Sequence, residues 1–459
     1  MRLYNTLTRQ VDEFVPLEGN KVKIYACGPT VYNFIHIGNG RAACVFDTLR
    51  RYMLYRGYDV TFVQNFTDVD DKMINKANEE GTTVKNIADR YIKEYFTDAD
   101  GLGIMRADVH PKATENIDEI LDIINELVRN GHAYVADNGD VYFDVHSDSE
   151  YGKLSHQPLE DLEAGARIAP GEIKKDPMDF AIWKAAKPGE PAWESPYGMG
   201  RPGWHIECSA MVRKYLGMTA DIHCGGQDLI FPHHENEIAQ SECCNGVQFV
   251  RYWVHNGYVN VDNKKMSKSL GNFFTVRDVS KEYGYEPIRF FAISAHYRSP
   301  INFNREVMDQ CKASLARLHT CRDNLEFAIQ NANGTDNSLV EKVNIRKAQF
   351  EEAMDDDLNT ANGITAIFEL VSDINSAKEQ SKESLEYAAS VFDTLTGVLG
   401  FDLKKKESGI PEDIMDLVER RAQAKKARDF ALADALRNEI TAKGYVVEDT
   451  PQGPKVTKK

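Results

Sequence analysis

No apolar run approaches the roughly 18 residues that a membrane span needs, and the first ten residues, Met1 to Gln10, hold no apolar stretch of the export-signal kind. A cytosolic chain without a membrane partner is expected. Cysteine is scarce: eight in 459 residues, at positions 27, 44, 208, 224, 243, 244, 311 and 321. Their scatter argues against a disulfide framework and matches no zinc-finger spacing, which leaves reduced thiols, some of them candidate ligands. Positive charge is also in deficit. With a formal net charge of −16, the chain as a whole does not attract nucleic acid, so any RNA contact must come from local basic patches. Internal repeats and low-complexity tracts are missing. What remains, 42% hydrophobic and 27% charged residues, is the composition of a globular protein large enough for two to four domains.

The stretch Cys27 to Asn39 (Cys-Gly-Pro-Thr-Val-Tyr-Asn-Phe-Ile-His-Ile-Gly-Asn) joins a predicted strand, Lys21 to Ala26, to a predicted helix, Arg41 to Arg56. Val60 to Val63 is β-branched and aromatic, so the unit reads strand, loop, helix, strand. A helix start offers unpaired N–H groups and a positive dipole end to phosphate, and Gly38 and Gly40 allow close approach of a ligand. Gln64 to Lys72 is a polar strand end of the kind that binds ligands in open α/β sheets; Asp68, Asp70 and Asp71 would otherwise cap the helix around Met73 to Glu79. Ile117, Ile120, Leu121, Ile124 and Val128 mark an amphipathic helix, and Asn138-Gly139 a hairpin between 133–135 and 141–143. Residues 146–203, rich in Gly, Pro and acidic residues, are predicted to be long loops closing over a site. A second strand–helix–strand run follows, with a helix to Met218, a strand over 220–228, a helix opening at Phe231 and a strand over 249–254. Beyond about residue 303 the spacing is helical, ending in a charged helical hairpin and a short β-hairpin near 445–456.

His233 and Glu237 lie four apart on what should be one helix, so they share a face, as two metal ligands on a helix must. The same spacing is common on solvated faces. It gains weight because Cys27 at a strand end and Cys208 near a helix start can converge with them into a Cys, Cys, His, Glu tetrahedron. His234 and Glu235 rival them by type but are expected to point to other sides of the helix. Thiolates with imidazole favour zinc over magnesium, and a His-Glu-x-x-His protease run is missing. Lys264 to Asn272 is a basic loop of small residues, either a solvated turn or a clamp for a triphosphate.

His36-Ile37-Gly38-Asn39 resembles the HIGH signature of class I aminoacyl-tRNA synthetases, and Lys265-Met266-Ser267-Lys268-Ser269 matches their KMSKS signature in full. Within the class, Cys27 to Asn33, Gly203 to Ser209 and Phe231 to Glu237 are similar to the cysteinyl-tRNA synthetases. The resemblance covers essentially the whole chain. It implies an α/β fold: a Rossmann-type parallel-sheet catalytic core with an inserted connective region, then an all-α helical bundle and a small C-terminal α+β module. The implied division is 1–110 and 201–302 for the two halves of the core, 111–200 for the insertion, 303–403 for a tRNA-binding bundle and 404–459 for an anticodon module. Carried over residue by residue, the zinc ligands fall on Cys27, Cys208, His233 and Glu237. ATP binding falls on His36, Gly38, Asn39 and Lys268, and catalysis on His36, Asn39, Lys265 and Lys268; Asp228, at a glycine-rich strand end, is a further candidate for the ribose or the amino group. Cys27, Thr67, Trp204 and Cys208 would line the cysteine pocket. Asn39 stands where the signature ends in His, and its amide still donates to phosphate. The implied reaction is ATP-dependent ligation of L-cysteine to tRNA(Cys) through a cysteinyl adenylate, with magnesium on the ATP and one zinc ion selecting thiol over hydroxyl. A monomer is expected. Arg420-Arg421, Lys425-Lys426, Arg428 and Lys458-Lys459 are candidate phosphate contacts, against the commoner reading of such charge runs as solvated helix faces. Two rival readings remain, a cysteine ligase acting on an amino sugar and a catalytically silent RNA-binding relative.

Overall fold

Alternating apolar residues build the first strands of a computed structural model that describes residues 1–157, 173–266, 271–404, 412–450 and 453–458. A short hairpin, β1 (Arg2–Asn5) and β2 (Gln10–Glu13), precedes β3 (Lys21–Ala26), which buries Val22, Ile24 and Tyr25. Then come α1 (Ile37–Tyr55), β4 (Asp59–Gln64), α2 (Asp71–Glu80), α3 (Val84–Gly101) and α4 (Ile117–Arg129). The expected face of α4 is buried at Ile117, Ile120 and Ile124. Next, β5 (Ala133–Val135) and β6 (Val141–Phe143) pair as the predicted hairpin, and β7 (Phe180–Ala185) and β8 (Gly200–Pro202) extend them into a four-stranded antiparallel sheet. This corrects the reading of 146–203 as loops. Ile182 and Trp183 are fully buried, so a strand hides in a segment whose Gly and Pro content masks its short period. Residues 158–172 of that segment lie outside the described residues.

The chain returns to the core with α5 (Trp204–Tyr215), β9 (Ala220–Gly226), α6 (Glu235–Asn245) and β10 (Val250–Asn256). The central sheet has the order β10-β9-β3-β4 and every pairing in it is parallel. From β3 the chain crosses through α1 to β4, and from β9 through α6 to β10, so the winding reverses between β3 and β9. Such a reversal leaves a crevice at the carboxyl ends of the two strands. Cys27 follows β3 directly, and Gly225 and Gly226 end β9. Met211, Val212 and Leu216 of α5 and Ile238 of α6 join Tyr25, Val250 and Trp253 of the sheet in one buried cluster, which anchors both helices beneath the crevice.

β11 (Val259–Val261) and β12 (Lys264–Lys265) form a hairpin, followed by α7 (Val276–Tyr283), α8 (Tyr285–Ile293) and β13 (Ile301–Phe303), which pairs in parallel with β11. Four long helices come next: α9 (Arg305–Gln330), α10 (Ser338–Asp355), α11 (Thr360–Ser376) and α12 (Lys382–Val398). The expected stripe Met308, Cys311, Leu315, Leu318 and Leu325 is buried. Last, α13 (Glu412–Lys426), α14 (Phe430–Ala442) and the hairpin β14 (Tyr445–Thr450) with β15 (Gly453–Lys458) enclose a small core of Ile414, Leu417, Val418, Leu436, Ile440 and Val447. The chain forms two compact units, one of 1–315, 349–365 and 398–401, the other of 316–348, 366–397 and 402–459. Among the described residues no helix is long and apolar enough to cross a membrane.

Candidate active site and metal centre

Loops at the carboxyl ends of β3 and β9 and the starts of α5 and α6 bring four donors together. Cys27 Sγ lies 3.8 Å from Cys208 Sγ and 3.7 Å from Glu237 Oε1, Cys208 Sγ lies 3.7 Å from His233 Nε2, and His233 Nε2 lies 3.0 Å from Glu237 Oε1. All four donor atoms fall within 4.8 Å of one another. A tetrahedral zinc with bonds of about 2.0–2.3 Å has edges of roughly 3.3–3.8 Å, so the spacing suits such an ion. Cys208, His233 and Glu237 are buried and Cys27 is half-buried.

The electrostatics point the same way. Burial raises the pKa of Glu237, but His223 and His233 outweigh it and hold the carboxyl down at about 2. Burial lowers His233, but Glu237 and Cys208 prevail and raise it to about 10. The hydrogen bond with Cys27 brings Cys208 down to about 6 against the pull of burial, while burial and the same partner push Cys27 well above the usual thiol range. Anionic sulfur and carboxylate draw a proton onto the imidazole between them, which is how a donor set made for a cation behaves.

Supporting contacts fix the donors. His205 Nδ1 meets His233 Nδ1 at 3.0 Å, leaving Nε2 to face the other donors, and Gln240 Nε2 donates to His205 O. His223 Nε2 lies 2.9 Å from Glu237 Oε2. Such partners orient ligands and tune their basicity. Trp204 stacks on His233 with ring centroids 4.1 Å apart and remains 40% exposed, so its other side is open to a small ligand. Thr67 is buried and donates its hydroxyl to Glu207 Oε2 at 2.9 Å.

One expectation is overturned. His234 does not point away: its Nε2 lies 3.3 Å from Cys27 Sγ, and with Cys27, His223 and Glu237 it forms a second, overlapping donor group. The cause is local. Residues Ile230–His234 form a wide turn in which Phe231 is extended (φ −136, ψ 133) before α6 starts at Glu235, so counting around a continuous α-helix misplaces His234. Glu235 does face elsewhere, accepting from the backbone N–H groups of Leu154 and Ser155. His223 and His255, on strands β9 and β10, were missed by sequence reasoning. Their signal is polar residues near the carboxyl ends of strands. His255 Nε2 meets His234 Nδ1 at 2.8 Å.

Along the same crevice, α1 starts with a reciprocal cap. His36 Nδ1 accepts from Asn39 N at 3.2 Å and Asn39 Oδ1 accepts from His36 N at 3.3 Å, while Asn39 Nδ2 takes no part. Gly38 is needed here, because a Cβ would lie 2.9 Å from the His36 ring. The lysine-loop segment is drawn to this point: Ile37 N donates to Phe274 O, Val276 N donates to Ile35 O, and Phe273 packs edge-on against the His36 ring. Met266 Cε would be 3.7 Å from the same Gly38 Cβ. Lys265 ends β12 and is exposed; Lys268 lies outside the described residues. Asp228 sits in the turn Gln227–Leu229, its carboxylate against Gly226, where a Cβ would displace it.

Of the three acidic residues after β4, Asp70 caps α2 by accepting from Lys72 N. Asp68 instead accepts from Thr114 N and Oγ1, and Asp71 pairs with Lys184 and Arg201. Arg421, a candidate phosphate contact, is buried and bound bidentately by Asp449, which also takes Lys425 at 2.7 Å. It is a structural ion pair, since a helix face read as solvated is covered by β14.

A profile of class I (C) tRNA synthetase catalytic domains matches residues 13–313. A DALR domain matches 349–404, and a cysteinyl-tRNA ligase anticodon-binding domain matches 407–455. The cysteine–tRNA ligases of Caldicellulosiruptor saccharolyticus and Clostridioides difficile are each 56% identical, over 462 and 463 residues, with 99% of both chains covered. Among solved structures, Mycobacterium tuberculosis methionyl-tRNA synthetase with methionyl-adenylate superposes at a TM-score of 0.61 and 14% identity, over 83% of this chain and 89% of that one. The LeuRS–tRNA–LeuAMS complex of Agrobacterium radiobacter does so at 0.62 and 11%, over 85% and 86%. At such identities the superpositions speak for the fold alone.

Proposed function

The chain belongs to the cysteine–tRNA ligase family of class I synthetases, and from that premise we propose that it joins L-cysteine to tRNA(Cys) with Cys27, Cys208, His233 and Glu237 holding a zinc ion. The observation that carries this reading is the buried two-thiol donor set at the carboxyl ends of β3 and β9, with a capped helix start that follows the same β3 and meets the segment around Phe273 to Val276. A bound zinc would supply a soft Lewis acid for the substrate sulfur, which separates cysteine from serine far better than the roughly 1–3 kcal/mol of ordinary pocket contacts.

In the first step a carboxylate oxygen of cysteine attacks the α-phosphorus of ATP and pyrophosphate leaves. The start of α1, with His36, Gly38 and the Asn39 amide, holds phosphate oxygens; Lys265 and Lys268 meet the charge that shifts to the leaving group. Magnesium accompanies the ATP, bound largely through its phosphates. Trp204 and Thr67 line the cysteine pocket and Asp228 binds the ribose or the amino group. In the second step the 2'-hydroxyl of the terminal adenosine attacks the cysteinyl carbonyl and AMP leaves.

The assignment of 1–110 and 201–302 to the core, 111–200 to the insertion, 303–403 to tRNA binding and 404–459 to anticodon recognition belongs to the same reading. So do a cytosolic location and a monomeric state. The anticodon-domain match and the two full-length relatives favour tRNA charging over both an amino-sugar ligase and a silent RNA-binding protein. The test is transfer of labelled cysteine onto total tRNA beside cysteine-dependent pyrophosphate exchange. Charging supports the reading, exchange without charging points to a small-molecule ligase, and neither activity in zinc-loaded protein rejects it.

A further inference from the structure

Arg41 of α1 is almost fully buried, and its hydrogen-bond partners among the described residues are five backbone carbonyl oxygens. One terminal nitrogen donates to Gly257 O (2.8 Å) and Tyr258 O (2.9 Å), the other to His296 O (3.4 Å), Tyr297 O (3.1 Å) and Ser299 O (2.6 Å). Burial lowers its pKa to about 10, so it remains a cation at neutral pH. The two terminal nitrogens of the planar fork bring four N–H groups to this set, while the buried Nε finds no partner among the described residues; an ammonium has three N–H groups on a single nitrogen.

The carbonyls lie at two entrances. Gly257 and Tyr258 lead into β11, and the strap His296–Ser299 leads into β13, its parallel partner. The two entrances are laced together, Gly257 N donating to Tyr297 O at 2.8 Å and Ile301 N to Tyr258 O at 3.0 Å. Glycine is required at 257, where a Cβ would come within 2.6 Å of Arg298 O. From β11 the chain turns back through β12 and ends on Lys265. The strap is gripped from another side by Asp357, which accepts from Tyr297 OH and Arg298 Nε, each at 2.7 Å, and from Tyr4 N at 2.7 Å. Asp357 and Leu358 both hold the left-handed backbone (φ 57 and 50) that non-glycine residues adopt only when their surroundings impose it.

Arg41 stands five residues after His36 on the same helix, so one side chain joins the helix start to the base of the lysine hairpin. We propose that Arg41 is a positioning residue for adenylation: through the carbonyls of Gly257, Tyr258 and the His296–Ser299 strap it sets Lys265 relative to the phosphate-binding start of α1, and Asp357 holds the strap in place. The proposal rests on the reading of α1 and Lys265 as the ATP phosphate site.

The experiment compares Arg41→Lys, Arg41→Met, Asp357→Asn and Lys265→Ala with wild type in zinc-loaded, full-length protein. Cysteine-dependent pyrophosphate exchange is measured together with zinc content and thermal melting. A loss confined to the transition state appears in kcat. Arg41→Met should lower kcat at least tenfold, with KM for cysteine within twofold and zinc retained, because the metal centre lies on other elements. Arg41→Lys should recover part of the loss, and Asp357→Asn should lower kcat threefold or more. An unchanged kcat in Arg41→Met, or a loss of zinc and cysteine binding in the same proportion, would overturn the inference. Should Arg41→Met not fold, Asp357→Asn decides, since unchanged kcat at normal melting rejects the strap. Normal exchange in Lys265→Ala would reject the phosphate-site reading itself, whereas impaired Lys265→Ala with normal Arg41→Met rejects only the positioning role.

Discussion

Glu237→Gln keeps the shape of a buried donor and removes its charge. Glu237 Oε1 lies 3.0 Å from His233 Nε2 and Oε2 lies 2.9 Å from His223 Nε2, with all three side chains essentially inaccessible. A glutamine offers one oxygen and one NH2 group in those places, so only one of the two acceptor roles survives. Disturbing even the partner of a metal ligand costs about 10- to 100-fold in metal affinity, and replacing the ligand itself should cost at least that. Loss of the anion itself adds to this. Zinc competition against a chromophoric chelator near neutral pH measures the change, and pyrophosphate exchange measures KM for cysteine. KM should rise in under-loaded protein and recover towards wild type in excess zinc. A variant that binds zinc as tightly as wild type would refute the carboxylate's place in the donor set. The pH dependence has a defined sign. Since the carboxyl is held at about 2, below its ordinary 4.5, its contribution to stability is complete above the ordinary value and disappears as pH falls towards 2. In the glutamine variant that part of acid sensitivity should be missing.

Gly28→Ala should cost at least tenfold in adenylation together with zinc, because the added Cβ would sit inside the radius of Asn65 O, a backbone atom that cannot swing aside; normal zinc content and rate would contradict the packing of β3 against β4. Arg289→Met removes donors to Leu399 O, Leu102 O and Asp47 Oδ2 (2.7, 3.1 and 2.6 Å) and leaves Asp47 buried with Arg51 as its remaining cation. Destabilisation of about 3 kcal/mol is expected from denaturant titration, and a value under about 1 kcal/mol would show that water or Arg51 compensates. The side-chain hydrogen bonds and charges of Arg421 and Lys425 hold Asp449 well below the usual carboxylate range, so acidification to about pH 3 should leave their pairing with Asp449 largely intact. Asp449→Asn should lower the melting temperature of the 412–458 region at neutral pH, and equal melting would mean that the ion pair contributes nothing.

Local chemistry was the legible part of this chain. The strand before Cys27, the face of α4 and the hairpin at Asn138-Gly139 each depend on residues within a turn or two of one another, while α1 starts at Ile37, ahead of the Arg41 that apolar spacing suggested, because the His36–Asn39 cap extends it. The quartet Cys27, Cys208, His233 and Glu237 was readable because two of its members lie four apart and the other two stand at element ends. His234 was misjudged because a wide turn with an extended Phe231 replaces the helix that the count assumed. Strands β7 and β8 were missed because β7 pairs with β6, far back in sequence, and the three-residue β8 is held by β7 in turn. Arg421 was open to reading as a phosphate contact or a solvated cation because its partner Asp449 arrives from a strand 28 residues later. Arg41 carried no signal at all, since backbone carbonyls have no letter in a sequence.

The cap at the start of α1 has a thermodynamic consequence. Asn39 N–H is not left empty for a nucleotide; an imidazole nitrogen of His36 occupies it. A phosphate oxygen arriving there displaces an acceptor that the protein itself supplies, so only the difference between the two acceptors appears as affinity. Capping interactions of this type are worth about 0.5–2 kcal/mol. On the proposed reading of α1 as the ATP phosphate site, that amount would be deducted from nucleotide binding, and in return the helix end would stay formed between turnovers and release its product more readily.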